Sequence, residues 1–148
     1  MRTIVGRVVV HIDSMPKDRS FATILSDYEE RLSPVGVSIK AHGSTKAPRD
    51  YERKITKLSG KLVLLDENGK TMSSMQLARW LESTQLGRET THIAIGPQDG
   101  FSERAKESAD SLIALSSLTL THEFSAILLM EQLYRASEII RGSPYHRG

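Results

Sequence analysis

Short apolar runs alternate with amphipathic segments along the chain, and this alternation restricts the possible folds more than any other feature. Runs of strand character lie at residues 3–12, 35–41, 61–66, 91–96 and 111–120. Apolar residues recur at helical spacing over residues 17–32, 74–82 and 122–141. Strands that alternate with helices predict an α/β domain with a mostly parallel sheet. The 148 residues fit one domain over positions 1–148.

Local signals mark several helix ends. Ser73 and Gln76 have the spacing of a capping box, and Ser102 is placed to cap a following helix. Gly142 fits the position after the last helix, and Pro144 prevents its continuation.

The composition excludes several classes of protein. With 39% hydrophobic and 26% charged residues, the chain has the balance of a globular domain. No apolar run approaches the roughly 20 residues that span a bilayer, so we expect no membrane segment. The chain has no cysteine, and its five histidines lack zinc-site spacing, so we expect no metal. A cytoplasmic location fits this pattern, and the N-terminus makes a poor secretion signal.

Positive charge is concentrated in one part of the sequence. Residues 40–61 hold seven basic and two acidic residues, although the whole chain has a net charge of only +2. Such a stretch suits contact with phosphate groups, and it also suits an ordinary solvated loop and helix face.

Three turn-forming segments follow predicted strands, and ligands of parallel sheets lie beyond the carboxyl ends of strands. They are Asp66-Glu67, residues 96–100 and residues 118–122. They contain neither a phosphate-binding P-loop nor a G-x-S-x-G elbow, which argues against nucleoside triphosphate hydrolysis and serine hydrolysis. A small-molecule site at this edge and plain turns both remain open. A histidine at the position of His122 is more often a cap or packing residue than a catalyst, and the spacing of Glu131 and Arg135 suits a surface ion pair.

Five segments of the second half resemble one family in order and spacing. They are LLDENGKTMSS (64–74), IGPQDGFS (95–102), LSSLTLTH (115–122), EQLYRASEI (131–139) and SPYHR (143–147). The family is the SPOUT-class ribosomal RNA large subunit methyltransferase H. Its members methylate N3 of a pseudouridine in large-subunit (23S) rRNA with S-adenosyl-L-methionine as cofactor.

The resemblance implies a SPOUT fold, in which the C-terminal part of an α/β sheet forms a deep trefoil knot, here over about residues 62–148. Such knots are rare exceptions to the rules of chain connection. It also implies a homodimer, because the cofactor pocket of this class lies against the partner subunit, and it favours the assembled ribosome as substrate.

Site residues follow from the same resemblance. The implied cofactor-binding residues are Leu65, Asp66, Gly96, Gly100, Leu115, Ser116, Ser117, Leu118, Thr119 and Leu120. The implied catalytic residues are His122, Arg135, Tyr145, His146 and Arg147, the last three in a tail that closes over the pocket. His146 or His122, or a nearby cation, could assist removal of the N3 proton. Arg135 and Arg147 suit electrostatic and phosphate contacts, and Tyr145 suits stacking on a base.

The chain departs from the family pattern at three positions of this half. Pro97 replaces a glycine, Thr121 replaces a proline, and Ala126 replaces an arginine. These departures leave room for a second hypothesis, a knotted dimer that binds the cofactor but has lost or altered its RNA methylation. A related methyltransferase acting on another RNA is a third.

Overall fold

The structure is a computed structural model that describes residues 4–43 and 49–147. The strands in these ranges are β1 (Arg7–Ile12), β2 (Val37–Ala41), β3 (Lys61–Thr71), β4 (Thr90–Ala94) and β5 (Ser111–Ala114). They form one parallel sheet in the order β2-β1-β4-β3-β5. The predicted α/β class with a parallel sheet is therefore confirmed.

The helices in the described ranges are α1 (Arg19–Leu32), α2 (Asp50–Thr56), α3 (Ser74–Leu86), α4 (Glu103–Ser108) and α5 (His122–Arg141). The capping box of Ser73 and Gln76 is present, and Ser102 Oγ accepts the Ala105 N–H, as predicted. Helix α2 was not predicted, because seven residues in a basic context give too little periodicity. Lys46 of the basic stretch lies outside the described residues.

The two faces of the sheet carry separate cores. Alternate strand residues such as Val10, Val63 and Ile93 pack on one face against α1, α3 and α5. The opposite face carries Leu64 and Ala94 under α2 and α4, with Tyr51, Ile55, Phe101 and Ala105. This arrangement is a three-layer sandwich.

Helix α5 is the central helix of the first face and ends where the sequence predicts. Leu129, Met130 and Leu133 are fully buried, and each such side chain stabilises the fold by about 1.5–3 kcal/mol. After Arg141, Gly142 has φ +79°, and its N–H donates to the Ile139 carbonyl. The left-handed conformation favours glycine and turns the chain out of the helix.

Strand β3 is more irregular than predicted. The chain was expected to leave the strand at Asp66, but it leaves β5 after Leu65 and pairs with it again from Lys70. Ile113 of β5 is the register partner of both Leu65 and Lys70. A Cβ on Gly69 would lie 2.7 Å from the Ile113 backbone nitrogen, so only glycine fits there. The trefoil knot stays a prediction.

Candidate active site

A cleft of about 580 Å³ lies beside the irregular part of β3 and the carboxyl ends of β4 and β5. Three chain segments line it, namely residues 65–68 in the irregular part of β3 and the loops that follow β4 and β5, together with the start of α5. Its volume lies within the range of small-molecule sites. Nine of the ten implied cofactor-binding residues line it: Leu65, Asp66, Gly96, Gly100, Leu115, Ser116, Leu118, Thr119 and Leu120. Ser117 is not among the lining residues.

A salt bridge fixes the carboxylate at the end of the first segment. Asp66 Oδ1 lies 3.2 Å from Lys106 Nζ, and the two side chains are only 13% and 19% exposed. Hydrogen bonding to Asp66 raises the pKa of Lys106. Lys106 lines the cleft from α4, and sequence reasoning missed it because 40 residues separate it from Asp66.

The second segment forms a tight turn around two glycines. The Gly100 N–H donates to the Pro97 carbonyl at 2.8 Å, and Gly100 has φ +77°. At Gly96 an added Cβ would lie 3.4 Å from the Phe101 ring, so the side of the turn facing Phe101 is already filled. Pro97 fits the first position of this turn, where its carbonyl accepts and its missing N–H is not used.

The third segment leads from β5 into α5 and presents an apolar wall. Leu118 is 71% exposed, and its N–H donates to Ser116 Oγ at 3.0 Å. Thr121, one of the departures from the family pattern, caps α5 because its Oγ1 accepts the Phe124 N–H at 3.2 Å. His122 lies next to this cap on the cleft, so the cap role considered for His122 belongs to Thr121.

The C-terminal tail does not lie on this cleft. Tyr145 packs edge-on against Tyr134 with ring centroids 4.9 Å apart, and the Arg135 guanidinium carbon lies 4.9 Å from the Tyr145 centroid. Arg147 donates to the Pro144 carbonyl at 3.2 Å. Arg135 follows His122 by 13 residues, which is about 20 Å along a helix axis. A single chain therefore does not bring His122 together with the other four implied catalytic residues, and its tail does not close over its own cleft.

A chain of hydrogen bonds positions Arg135. Its Nε lies 3.2 and 3.3 Å from the two Glu131 carboxylate oxygens. The Gln132 amide donates to Glu131, and Ser74 Oγ donates to the Gln132 carbonyl oxygen at 2.7 Å. Glu131 and Arg135 are half-buried members of a network that reaches α3, beyond the surface pair that spacing alone suggests.

The same guanidinium determines the tautomer of His146. Arg135 Nη1 lies 3.2 Å from His146 Nδ1. Because a guanidinium can only donate, Nδ1 accepts this hydrogen bond and the imidazole proton lies on Nε2. In this arrangement His146 presents a hydrogen-bond donor to any group that approaches Nε2.

Three further histidines form a row on the α2 side of the sheet. His42 and His11 are joined by a hydrogen bond of 2.8 Å, and so are His11 and His92. His92 Nε2 donates to the Ser59 carbonyl at 3.0 Å, which orients the whole row. Burial, followed by repulsion from the two neighbouring imidazoles, lowers the pKa of His11 to about 3. Within the described ranges no group of three or more histidine or acidic side chains could hold a metal ion.

Comparison with known protein families identifies the class. The model of the family described as "Predicted SPOUT methyltransferase" matches residues 8–146. The chain therefore belongs to the SPOUT methyltransferase family. S-adenosyl-L-methionine, the cofactor that the sequence resemblance implies, is the methyl donor of this class.

Individual relatives refine this result. A protein of Koribacter versatilis named ribosomal RNA large subunit methyltransferase H is 34% identical over 134 residues, which cover 89% of this chain and 92% of its own. The protein of that name from Prochlorococcus marinus is 38% identical over 123 residues, or 83% of each chain. The resemblance to this methyltransferase family is thereby confirmed.

A solved structure of Lpg2936 from Legionella pneumophila, in complex with the bound cofactor SAM, has a similar fold. The TM-score is 0.51 at 13% sequence identity, over 92% of this chain and 68% of that chain. No helix in the described part of the chain is both long enough and apolar enough to cross a membrane.

Proposed function

We propose that this protein transfers a methyl group from S-adenosyl-L-methionine to large-subunit ribosomal RNA. The observation that carries the proposal is the cleft beside the irregular part of β3 and the ends of β4 and β5, in a chain of the SPOUT family whose relatives are named for this reaction. The finer proposal is that the acceptor is N3 of a pseudouridine and that the substrate is the assembled ribosome in the cytoplasm. Positions 1–148 then act as one domain.

The residues at the cleft fit the cofactor. The turn at Gly96 and Gly100 exposes backbone rather than side chain, and the Leu115–Leu120 segment offers aliphatic side chains for an adenine ring. Asp66 is an acceptor held in place by Lys106. When bound, S-adenosyl-L-methionine supplies a methyl group on a positively charged sulfur that is already electrophilic, so positioning is the main contribution of the protein.

The lone pair of the protonated acceptor nitrogen is delocalised into the neighbouring carbonyl groups, so the nitrogen must lose its proton to become nucleophilic. Two histidines are candidates to assist. His122 lies on the cleft, whereas His146 presents a donor at Nε2 while Arg135 occupies Nδ1. We therefore assign proton removal to His122. We assign to His146 and Arg135 the stabilisation of negative charge on the acceptor, and to Tyr145 and Arg147 contacts with the RNA.

A homodimer would bring these groups together. The cleft and the tail of one chain lie near opposite ends of α5, so we propose that the tail of one subunit closes the cleft of the other. Large apolar side chains near the start of α5 support a partner at this point, since Phe124 and Leu118 are 51% and 71% exposed. Phe124 also packs against Phe21 of α1 with ring centroids 5.1 Å apart, which extends the apolar surface to a second helix.

One observation favours the alternative of a dimer with lost or altered RNA methylation. Ala126 is 3% exposed and belongs to the α5 core, so the position where the family carries an arginine makes no RNA contact here. This alternative predicts cofactor binding without transfer to rRNA.

The test is methyl transfer to large ribosomal subunits purified from a strain in which the gene is deleted. We expect mass spectrometry of the rRNA to show one added methyl group on a pseudouridine, at N3. Calorimetry with S-adenosyl-L-methionine is run in parallel. Binding without any methylated rRNA would overturn the function in favour of the alternative, and methylation of another nucleotide would overturn the pseudouridine assignment.

A further inference from the structure

We propose that the exposed face of α2 binds the phosphate backbone of the RNA substrate. We also propose that α2 is mechanically joined to residues 95–102, which line the cleft and are called the cofactor loop below. The face consists of Arg53 and Lys54 of α2, the flanking residues Arg49 and Lys57, and Lys40 of β2, and is called the α2 basic face below. That its ligand is RNA rests on the proposed function.

The charge of this face is both exposed and local. Arg49 and Arg53 pair within the helix with Glu52 and Asp50, at 3.3 and 3.1 Å. Lys54 and Lys57 are exposed and form no ion pair with another residue in the described ranges. Since residues 40–61 carry an excess of five positive charges and the whole chain only two, the remainder of the chain is net negative.

Lys40 adds to the same surface from β2. Repulsion by Lys40 and Lys54 contributes to the lowered pKa of His42, so both ammonium groups lie near this imidazole. Mobile ammonium and guanidinium groups on one surface suit contact with successive phosphates, which positions a nucleic acid without reading its sequence.

The buried face of α2 holds both ends of the cofactor loop. Tyr51 OH lies 2.8 Å from the carbonyl of Ile95, the residue before Gly96, and 2.9 Å from the His11 carbonyl. The next residue, Glu52, accepts hydrogen bonds from the N–H and the Oγ of Ser102, both at 2.8 Å. Two consecutive residues of α2 thus anchor the segment 95–102 that lines the cleft.

This connection gives the α2 basic face a consequence for the cofactor. A phosphate contact that shifts α2 acts through Tyr51 and Glu52 on the turn at Gly96 and Gly100. This effect is reciprocal. If bound RNA changes the affinity for the cofactor by some factor, bound cofactor changes the affinity for RNA by the same factor.

The first test compares the double variant Lys54→Gln/Lys57→Gln with the control Arg79→Gln/Arg88→Gln, which removes equal charge from exposed positions elsewhere. The probe is a fluorescent RNA hairpin of large-subunit rRNA sequence, titrated at several KCl concentrations. We expect the α2 variant to bind about tenfold more weakly and its log–log salt slope to fall by about 1.5, while the control behaves as wild type. The affinity of the α2 variant for S-adenosyl-L-methionine should stay unchanged.

Wild-type affinity and salt slope in the α2 variant would overturn the inference, whether or not the protein methylates rRNA. Weakened binding to large subunits with unaltered hairpin binding would also overturn it, in favour of a protein contact. Absence of methyl transfer by the wild-type protein is a separate result, because it counts against the proposed function and leaves the hairpin measurement intact.

The second test addresses the connection to the loop. In the wild-type protein we expect the hairpin to change the dissociation constant of S-adenosyl-L-methionine by at least about fivefold. Glu52→Gln weakens the hold on Ser102 and should reduce that change, while hairpin affinity should not fall, because the substitution also frees Arg49 from its ion pair. An unchanged cofactor affinity in the wild type, or a Glu52→Gln variant that retains the full change, would show that α2 does not act on the loop.

Discussion

The two ends of α5 differ in how completely one chain builds them. At the N-terminal end, the irregular part of β3 and the loops after β4 and β5 converge with His122 on a formed cleft. At the C-terminal end, Arg135, Tyr134 and the tail contact one another on the surface of the same helix. One chain therefore contains a complete candidate for the cofactor site but keeps most implied catalytic residues away from it. With the proposed homodimer, this difference predicts that cofactor binding and methyl transfer are separable, and that transfer depends on a second copy.

Deleting residues 145–148 tests this difference between the two ends of α5, and the deletion has the largest expected effect of the variants considered. We expect methyl transfer to fall at least about 100-fold, because the tail supplies groups on the acceptor side. Cofactor affinity should change less than about twofold and the melting temperature by less than about 2 °C, since Tyr145, His146 and Arg147 lie outside the two cores. Radiolabelled transfer, calorimetry and thermal unfolding provide these values. Normal turnover in the truncated protein would remove the tail from the active site.

Acidification tests the row of His42, His11 and His92, which lies at neither end of α5. His11 has a folded-state pKa of about 3 against an ordinary 6.5. Below pH 6.5 the unfolded chain binds a proton that the folded chain does not, so stability is present above 6.5 and is lost as the pH falls towards 3.

Protonation linked to His11 should therefore lower the wild-type free energy of unfolding by about 2 kcal/mol between pH 7 and pH 5. Urea unfolding of wild type and His11→Gln at both pH values measures it. The variant should be less stable at pH 7 but show the smaller pH dependence. Equal pH dependence in the two proteins would show that the buried row does not act in this way.

Gly100→Val tests the N-terminal end. A β-branched residue at φ +77° strains the turn, so we expect affinity for S-adenosyl-L-methionine to fall about tenfold. Gly43 has φ +74° and open space around it, outside the cleft, so Gly43→Val imposes the same kind of strain as a control. Calorimetry with S-adenosyl-L-methionine measures the loss of affinity in both variants. Equal losses of affinity would show that general destabilisation, and not the loop, is responsible.

Features with local sequence signals could be predicted, and those that depend on distant partners could not. Helix α5 and the Ser73 capping box follow from neighbouring residues, and the cleft follows from polar turns after strands. Two features join residues from different elements, so residue spacing does not predict them. They are the ion pair of Asp66 with Lys106 and the row of His42, His11 and His92. The tail motif was visible, but sequence carries no signal for its position relative to the cleft.

Mixing two impaired variants tests the central claim that two copies build one site. The tail-deleted chain keeps its cleft, and Gly100→Val keeps its tail. The assay uses a cofactor concentration below the wild-type dissociation constant, where a tenfold loss of affinity removes about nine tenths of the activity. If each tail serves the partner's cleft, a mixed dimer has one intact site, and an equal mixture should recover about one quarter of wild-type methyl transfer. Activity no higher than the average of the two separate variants, once mixed dimers are shown to form, would contradict the account.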